Sequence, residues 1–200
     1  MGTDNQTKMS ELMAIAKRAF DAHLQTGTGG NISIRLDQKD QVVIKPTGVG
    51  FAECNENNLL IVDLEGNILQ GNIKPSKDMP FHLGIYRNRE DVNGIVHVHS
   101  PWATAWAAVN REIPPVTVHA KDKLGSIPVV PVGPDGGNQT PESIFDLFKD
   151  PSRVAAILEN HGTVGVGKNL LAAQHIVELI EETAHIAAVA QIIGKDAAIN

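Results

Sequence analysis

The stretch Gly94-Ile-Val-His-Val-His99 decides how this 200-residue chain is read. It is a β-branched run of the kind that forms a central, well-buried strand. Side chains two apart in a strand share a face, so His97 and His99 project together. Two imidazoles on one sheet face can ligate a divalent metal. Two buried histidines satisfied by neighbouring partners would give the same pattern. Two further residues bear on that choice. His161 follows a short apolar strand and precedes Gly162, so its ring can lie at a strand end beside a permissive backbone. Asp78 closes the polar loop Lys74-Pro-Ser-Lys-Asp78, from which a carboxylate can reach both a metal and a substrate. Three histidines and one acid suit a site with an open coordination position, the catalytic rather than the structural kind.

Working outward, the spacing of Leu12, Ile15, Ala16, Ala19 and Phe20 predicts a helix from Ser10, its N-cap, to His23. Ile32–Leu36 alternates like a half-buried strand, with Gln41–Lys45 as its hairpin partner. Further strands are expected at Leu59–Asp63, Ile127–Val130, Val154–Leu158 and Thr163–Val166. Helices are expected over Pro80–Arg87, from Pro101, over Pro141–Phe148 and over Leu170–Gly194. The region from Asn110 to Gln139 otherwise reads as a proline-rich loop. Strands in the middle with helices before, between and after them predict a mixed or mostly antiparallel sheet sandwiched by helices.

Composition narrows the function. With 17 basic and 23 acidic residues the net charge is −6, which argues against a nucleic-acid binder that works by neutralising phosphates. No run approaches the roughly 20 unbroken apolar residues of a membrane span. Residues 1–10 are polar and lack an apolar signal-peptide core. The lone Cys54 can form no internal disulfide. A cytoplasmic single domain over residues 1–200 is the expectation. Histidine is abundant, at eight copies against 4% aromatics, which points toward chemistry.

Three loops suit an anion: Gly29-Gly30-Asn31, Thr47-Gly48 and Ser76-Lys77 each combine backbone N–H groups with a short polar or cationic side chain. Each alone is an ordinary turn. Together with the histidines they suggest a phosphorylated small molecule.

Taken as a set, Thr26-Gly-Thr-Gly-Gly-Asn-Ile-Ser33, Lys45-Pro-Thr-Gly48, Lys74–Asp78, Gly94–Ser100 and Glu159-Asn-His-Gly-Thr163 resemble the class II aldolase/adducin family over nearly the whole chain. The resemblance implies an α/β fold: a three-layer α/β/α sandwich around a mostly antiparallel sheet. It implies a divalent ion, usually zinc, on His97, His99 and His161, with Asp78 as acid/base and phosphate against Gly30, Asn31, Thr47, Gly48 and Ser76. It also implies a homotetramer with sites between subunits. The expected activity is a lyase reaction on a small phosphorylated ketose or keto acid. Either retro-aldol cleavage or decarboxylation would pass through an enediolate whose charge the metal holds.

The chain departs from the family pattern in places. Ser76-Lys77 replaces the usual Ser-Ser, so an added ammonium favours a more anionic substrate, as in the family's keto-acid phosphate decarboxylases. Asp78 is the acid of the pentose-phosphate 4-epimerase branch, an alternative reading. Where the epimerases carry Thr-His-Ala-Asp, however, this chain reads Val118-His-Ala-Lys121. The sole tyrosine, Tyr86, reads as core packing, which leaves His119 and Lys121 as candidates for the missing proton-transfer group. A non-catalytic binding module like the adducin head domain is the alternative of another class. Gly162-Thr-Val-Gly-Val-Gly-Lys-Asn169 resembles a phosphate loop, but Asn169 stands where a Ser or Thr would bind magnesium.

Overall fold

The computed structural model describes residues 3–38, 40–131 and 141–194. Among these residues eight strands form one sheet: β1 (Asn31–Arg35), β2 (Gln41–Ile44), β3 (Leu60–Asp63), β4 (Ile68–Gln70), β5 (Gly94–Val98), β6 (Val129–Val130), β7 (Ala155–Leu158) and β8 (Gly162–Gly167). Their spatial order is β4-β3-β2-β1-β5-β8-β7-β6. Every pairing is antiparallel except β6 with β7, so the expected mostly antiparallel sheet is present.

Six α-helices among the described residues cover the sheet: α1 (Thr3–Asp21), α2 (Met79–Asn88), α3 (Pro101–Ala108), α4 (Val118–Leu124), α5 (Pro141–Phe148) and α6 (Leu170–Ile192). Because strand side chains alternate, each strand feeds two cores. Ile32, Ile34, Val43, Ile61, Val96 and Val98 meet α1 and α6 on one face. Val42, Ile44, Leu60, Val62, Ile95, Val164 and Val166 meet α2 and α5 on the other. A third cluster joins α3, α4 and α6 to Ala155 and Ile157. No described helix is long and apolar enough to cross a membrane.

Several expectations are corrected. α1 begins at Thr3 rather than at Ser10, because the fully buried Met9 carries the stripe of Leu12 and Ala16 one turn further back. α4 lies inside the stretch read as loop. Thr117 caps it by accepting from Ala120 N at 3.1 Å, and Ala120 and Leu124 bury one face, a pattern too short to stand out among prolines. β4 was not foreseen, since Ile68 and Leu69 are exposed on an edge strand. Asn169 is a helix cap, its side-chain oxygen accepting from Ala172 N at 2.8 Å, so the phosphate-loop look-alike is β8 followed by the start of α6.

The largest correction concerns β1. Its polar residues alternate, but all five positions are buried. Ser33 and Arg35 lie under α2 rather than in water. The Arg35 guanidinium donates to the carbonyls of Tyr86 (2.6 Å), Val92 (3.1 Å) and Arg89 (3.2 Å) and stacks 4.7 Å from the Tyr86 ring centre. Ser33 Oγ lies 2.7 Å from His82 Nδ1 and 2.9 Å from the Tyr86 hydroxyl. Burial of such groups is tolerable only because each has a partner.

Two predictions follow from this packing. A Cβ on Gly94 would lie 2.4 Å from Leu170 Cα, at the start of α6. Gly94→Ala is therefore expected to cost about 1–3 kcal/mol of unfolding free energy, the usual penalty of overpacking; an unchanged urea midpoint would contradict the close approach. Burial also pushes the His82 imidazole down to about 3. Between that value and the ordinary one near 6.5 the unfolded chain binds the extra proton, so stability is present at neutral pH and lost as pH falls. Urea titrations of metal-free protein should show wild type losing about 2 kcal/mol more than His82→Gln between pH 7 and pH 5. Equal losses would mean that His82 is not buried in its neutral form.

Candidate functional site

The register of three strands assembles the site. In β5, His97 stands opposite Asn31 of β1 and Val164 of β8. His99 follows the strand end on the same face, as its two-residue spacing predicts. His161 comes from the tight turn between β7 and β8, where Asn160 takes the left-handed conformation (φ 54°) that asparagine tolerates better than most residues. Gly162 lets that turn close: a Cβ there would meet the Val98 carbonyl at 2.4 Å and His99 Cδ2 at 2.8 Å.

The three rings converge, with centroids 4.7–4.9 Å apart. One nitrogen from each lies within 4.8 Å of the other two. Ligand nitrogens about 2.1 Å from a shared tetrahedral ion are about 3.4 Å apart, close to the 3.1 Å between His97 Nε2 and His99 Nε2. Burial, with help from the neighbouring imidazoles, pushes His97 well below its ordinary value. Burial, then His161 and Lys45, pushes His99 down to about 4. Both rings are therefore neutral at pH 7, the form that offers a lone pair. His97 Nδ1 lies 3.0 Å from the Thr163 carbonyl. That contact puts its proton on Nδ1 and turns Nε2 toward the cluster, the usual support for a ligating histidine. His161 Nδ1 is buried with no partner. This donor set fits a divalent cation.

Asp78 Oδ2 stands 3.8 Å from His97 Nε2 and accepts from Asn31 Nδ2 at 2.6 Å. Burial raises the Asp78 carboxyl above the ordinary carboxylate range, opposed by His161, the Asn31 hydrogen bond, Lys77 and Lys45. A cleft of about 190 Å³ opens beside it, lined by Thr28, Gly29, Gly30, Asn31, Lys45, Thr47, Ser76, Lys77, Asp78, His99 and His161.

Most of the candidate residues are thus brought together. His97 lies fully buried beneath the cleft. Gly48 sits in the turn just past Thr47, at a φ of 72° that suits glycine. The Asn31 amide, expected against a phosphate, is already engaged by Asp78, Ser76 and His82. His119 and Lys121 are not brought to the cleft of their own chain. They lie on α4, exposed to solvent.

Two residues of the site escaped the sequence reading. Gln25 is buried behind the glycine loop, its Oε1 accepting from His99 N at 2.8 Å and its Nε2 donating to Thr26 O at 2.9 Å. Nothing in its type or spacing marks it. Lys45 is also buried, and its ammonium donates to the carbonyls of Val49, Pro46 and Thr28. Here a signal existed: a lysine occupies the slot in phase with Val43 on the covered face of β2. Together these residues hold the glycine loop and the Thr47 turn against the imidazole cluster.

Comparison with known proteins agrees with this geometry. Residues 10–188 match the family model described as the class II aldolase and adducin N-terminal domain. An L-fuculose phosphate aldolase of Methanococcus maripaludis is 33% identical over 187 residues, spanning 94% of this chain and 99% of its own. A 3-oxo-tetronate 4-phosphate decarboxylase of Pectobacterium atrosepticum is 36% identical over 190 residues, spanning 92% and 85%. A solved structure of an L-fuculose 1-phosphate aldolase superposes with a TM-score of 0.85 at 27% identity, over 97% of this chain and 91% of that one. In sequence and in fold alike, the chain belongs to the class II aldolase and adducin family.

Proposed function

We propose that this protein is a divalent-metal-dependent lyase that breaks a carbon–carbon bond in a small phosphorylated ketose or keto acid. The observation that carries the reading is the convergence of three imidazoles, two of them held neutral by burial, beside a partly buried carboxylate at the head of a polar cleft. His97, His99 and His161 would hold the ion, which we read as zinc, although imidazole suits several metals. When bound, such an ion supplies Lewis acidity at the oxygen that takes up the electron pair of the broken bond.

The remaining tasks fall to side chains and backbone. Gly30, Thr47, Gly48 and Ser76 offer the N–H and hydroxyl groups that suit a phosphate. Asp78 is the acid/base. Its Oδ2 is committed to Asn31, so the proton is exchanged at Oδ1. In a retro-aldol reaction Asp78 takes the proton of the hydroxyl that becomes an aldehyde. In a decarboxylation it returns a proton to the carbon that has lost carbon dioxide.

One observation favours decarboxylation. Lys77 lines the cleft rather than standing apart from it, so a second anionic group, a carboxylate, would find a partner there. The decarboxylase named above is similar to this chain at 36% identity. We read the chain as one domain across residues 1–200, in the cytoplasm, with the free thiol of Cys54 in keeping with a reducing compartment. We also read it as a homotetramer. The exposed Ile186, Val189, Ile192 and Ile193 along α6, with Trp102 and Val109 nearby, are an apolar surface that a neighbouring subunit would cover. In that assembly the exposed His119 and Lys121 would be free to reach a neighbour's cleft.

The decisive assay offers metal-loaded protein L-fuculose 1-phosphate and 3-oxo-tetronate 4-phosphate, following aldehyde and carbon dioxide release. Inversion of L-ribulose 5-phosphate with no fragment released would overturn the lyase reading. EDTA should abolish turnover and added zinc should restore it, whereas a metal-free protein indifferent to EDTA would favour a binding module. His97→Ala should lose both bound metal and activity. Asp78→Asn should keep its metal by elemental analysis while kcat falls about a hundredfold or more, the usual share of a general acid/base; a fully active Asp78→Asn would remove Asp78 from the proton transfer.

A further inference from the structure

The Asn31 amide has two edges of nearly the same shape and opposite chemistry. Turning it over changes no volume, so packing cannot choose between them; only hydrogen bonding can. Its Nδ2 meets Asp78 Oδ2 at 2.6 Å and Ser76 Oγ at 3.3 Å, and its Oδ1 meets His82 Nε2 at 2.5 Å. We infer that His82 is a positioning residue: it fixes which edge of Asn31 faces Asp78, and through Asn31 it aims the acid/base carboxylate. This rests on the reading of Asp78 as that acid/base.

The argument runs along the bonds. A carboxylate can only accept, so the edge of Asn31 that faces Asp78 must be the N–H edge. Asn31 Oδ1 is then an acceptor, and His82 Nε2 must carry the ring proton. His82 Nδ1 is left with a lone pair, which takes the Ser33 hydroxyl proton across 2.7 Å. The Ser33 oxygen is free to accept from the Tyr86 hydroxyl at 2.9 Å, a proton that hydroxyl shares with the Ser33 carbonyl at 3.1 Å. Each link has one donor and one acceptor, and the series ends on the catalytic carboxylate.

The opposite tautomer would set a lone pair of His82 against the Asn31 carbonyl oxygen. The amide would have to turn, and its carbonyl would then confront Asp78. One ring proton therefore selects the orientation of the amide. Its surroundings keep it there. His82 is fully buried, with the Phe81 ring 4.5 Å from its own, and Arg35 pins the Tyr86 carbonyl at the far end. Tyr86 is itself buried, so the series holds geometry and does not conduct protons to solvent.

The test compares His82→Leu, which removes the donor, with His82→Gln, which can present an N–H at the same place. Turnover is measured with L-fuculose 1-phosphate, or with 3-oxo-tetronate 4-phosphate if that is the compound consumed. His82→Leu should lower kcat about tenfold or more, with KM and metal content little changed, because it releases a hydrogen bond coupled to a charged group. His82→Gln should recover most of that loss. Equal impairment of both variants, an undiminished His82→Leu, or a rise in KM that accounts for the loss would overturn the inference. Should His82→Leu fail to fold, long-range proton–nitrogen spectra of the metal-free wild type decide the matter without any assay: a neutral ring protonated on Nε2 supports it, and one protonated on Nδ1 refutes it. Loss of activity in Asp78→Asn beside a fully active His82→Leu would refute the positioning role alone, whereas a fully active Asp78→Asn would remove its premise.

Discussion

A sheet face that carries asparagine, serine and arginine can be buried only if every one of them is met by a partner, and that constraint organises this molecule. β1 presents Asn31, Ser33 and Arg35 to one side, and α2 with the turn after it answers with His82, the Tyr86 hydroxyl and the carbonyls of Tyr86, Arg89 and Val92. Apolar packing alone would let a helix slide or rotate by small amounts at little cost. Directional bonds do not. They set the start of α2 against the start of β1, and Asp78 is the residue that precedes α2. Since Asn31 pairs in register with His97, the same constraint that docks a helix brings a carboxylate to the imidazole cluster.

The electrostatics of the cluster depend on depth. His97 is completely enclosed and His99 half-buried, and burial strips both of the charge that would repel a cation. Asp78 sits nearer the surface, where lysines and the Asn31 amide offset part of the cost of its burial. Neutral imidazoles and a carboxyl that burial raises thus stand side by side.

Much of this was legible in the sequence. The β-branched run with its two-residue histidine spacing announced both the central strand and the shared face, because strand periodicity is local and strict. His161 was legible through its neighbours, an apolar strand before it and a glycine after it. What was hidden depended on distant contacts. Ser33 and Arg35 alternate just as a solvated face would, and nothing local says that α2 returns to cover them. Gln25 acts through a hydrogen bond with His99, 74 residues along the chain. Lys45 was readable in principle, as a charge in an apolar slot, but a lysine at a strand end is ordinarily solvated. His119 and Lys121 show the converse limit: residue type made them candidates for chemistry, and the fold set them on an exposed helix.

Lys45 brings a primary amine to the wall of the cleft, where a carbonyl compound would invite imine formation. Its nitrogen donates to three main-chain oxygens, those of Thr28, Pro46 and Val49. Burial works against its charge, but with all three protons engaged as an ammonium it has no lone pair to attack an aldehyde or ketone. The residue that clasps two loops is thereby chemically silenced, and guests of the cleft can come and go without becoming covalently stuck to its wall.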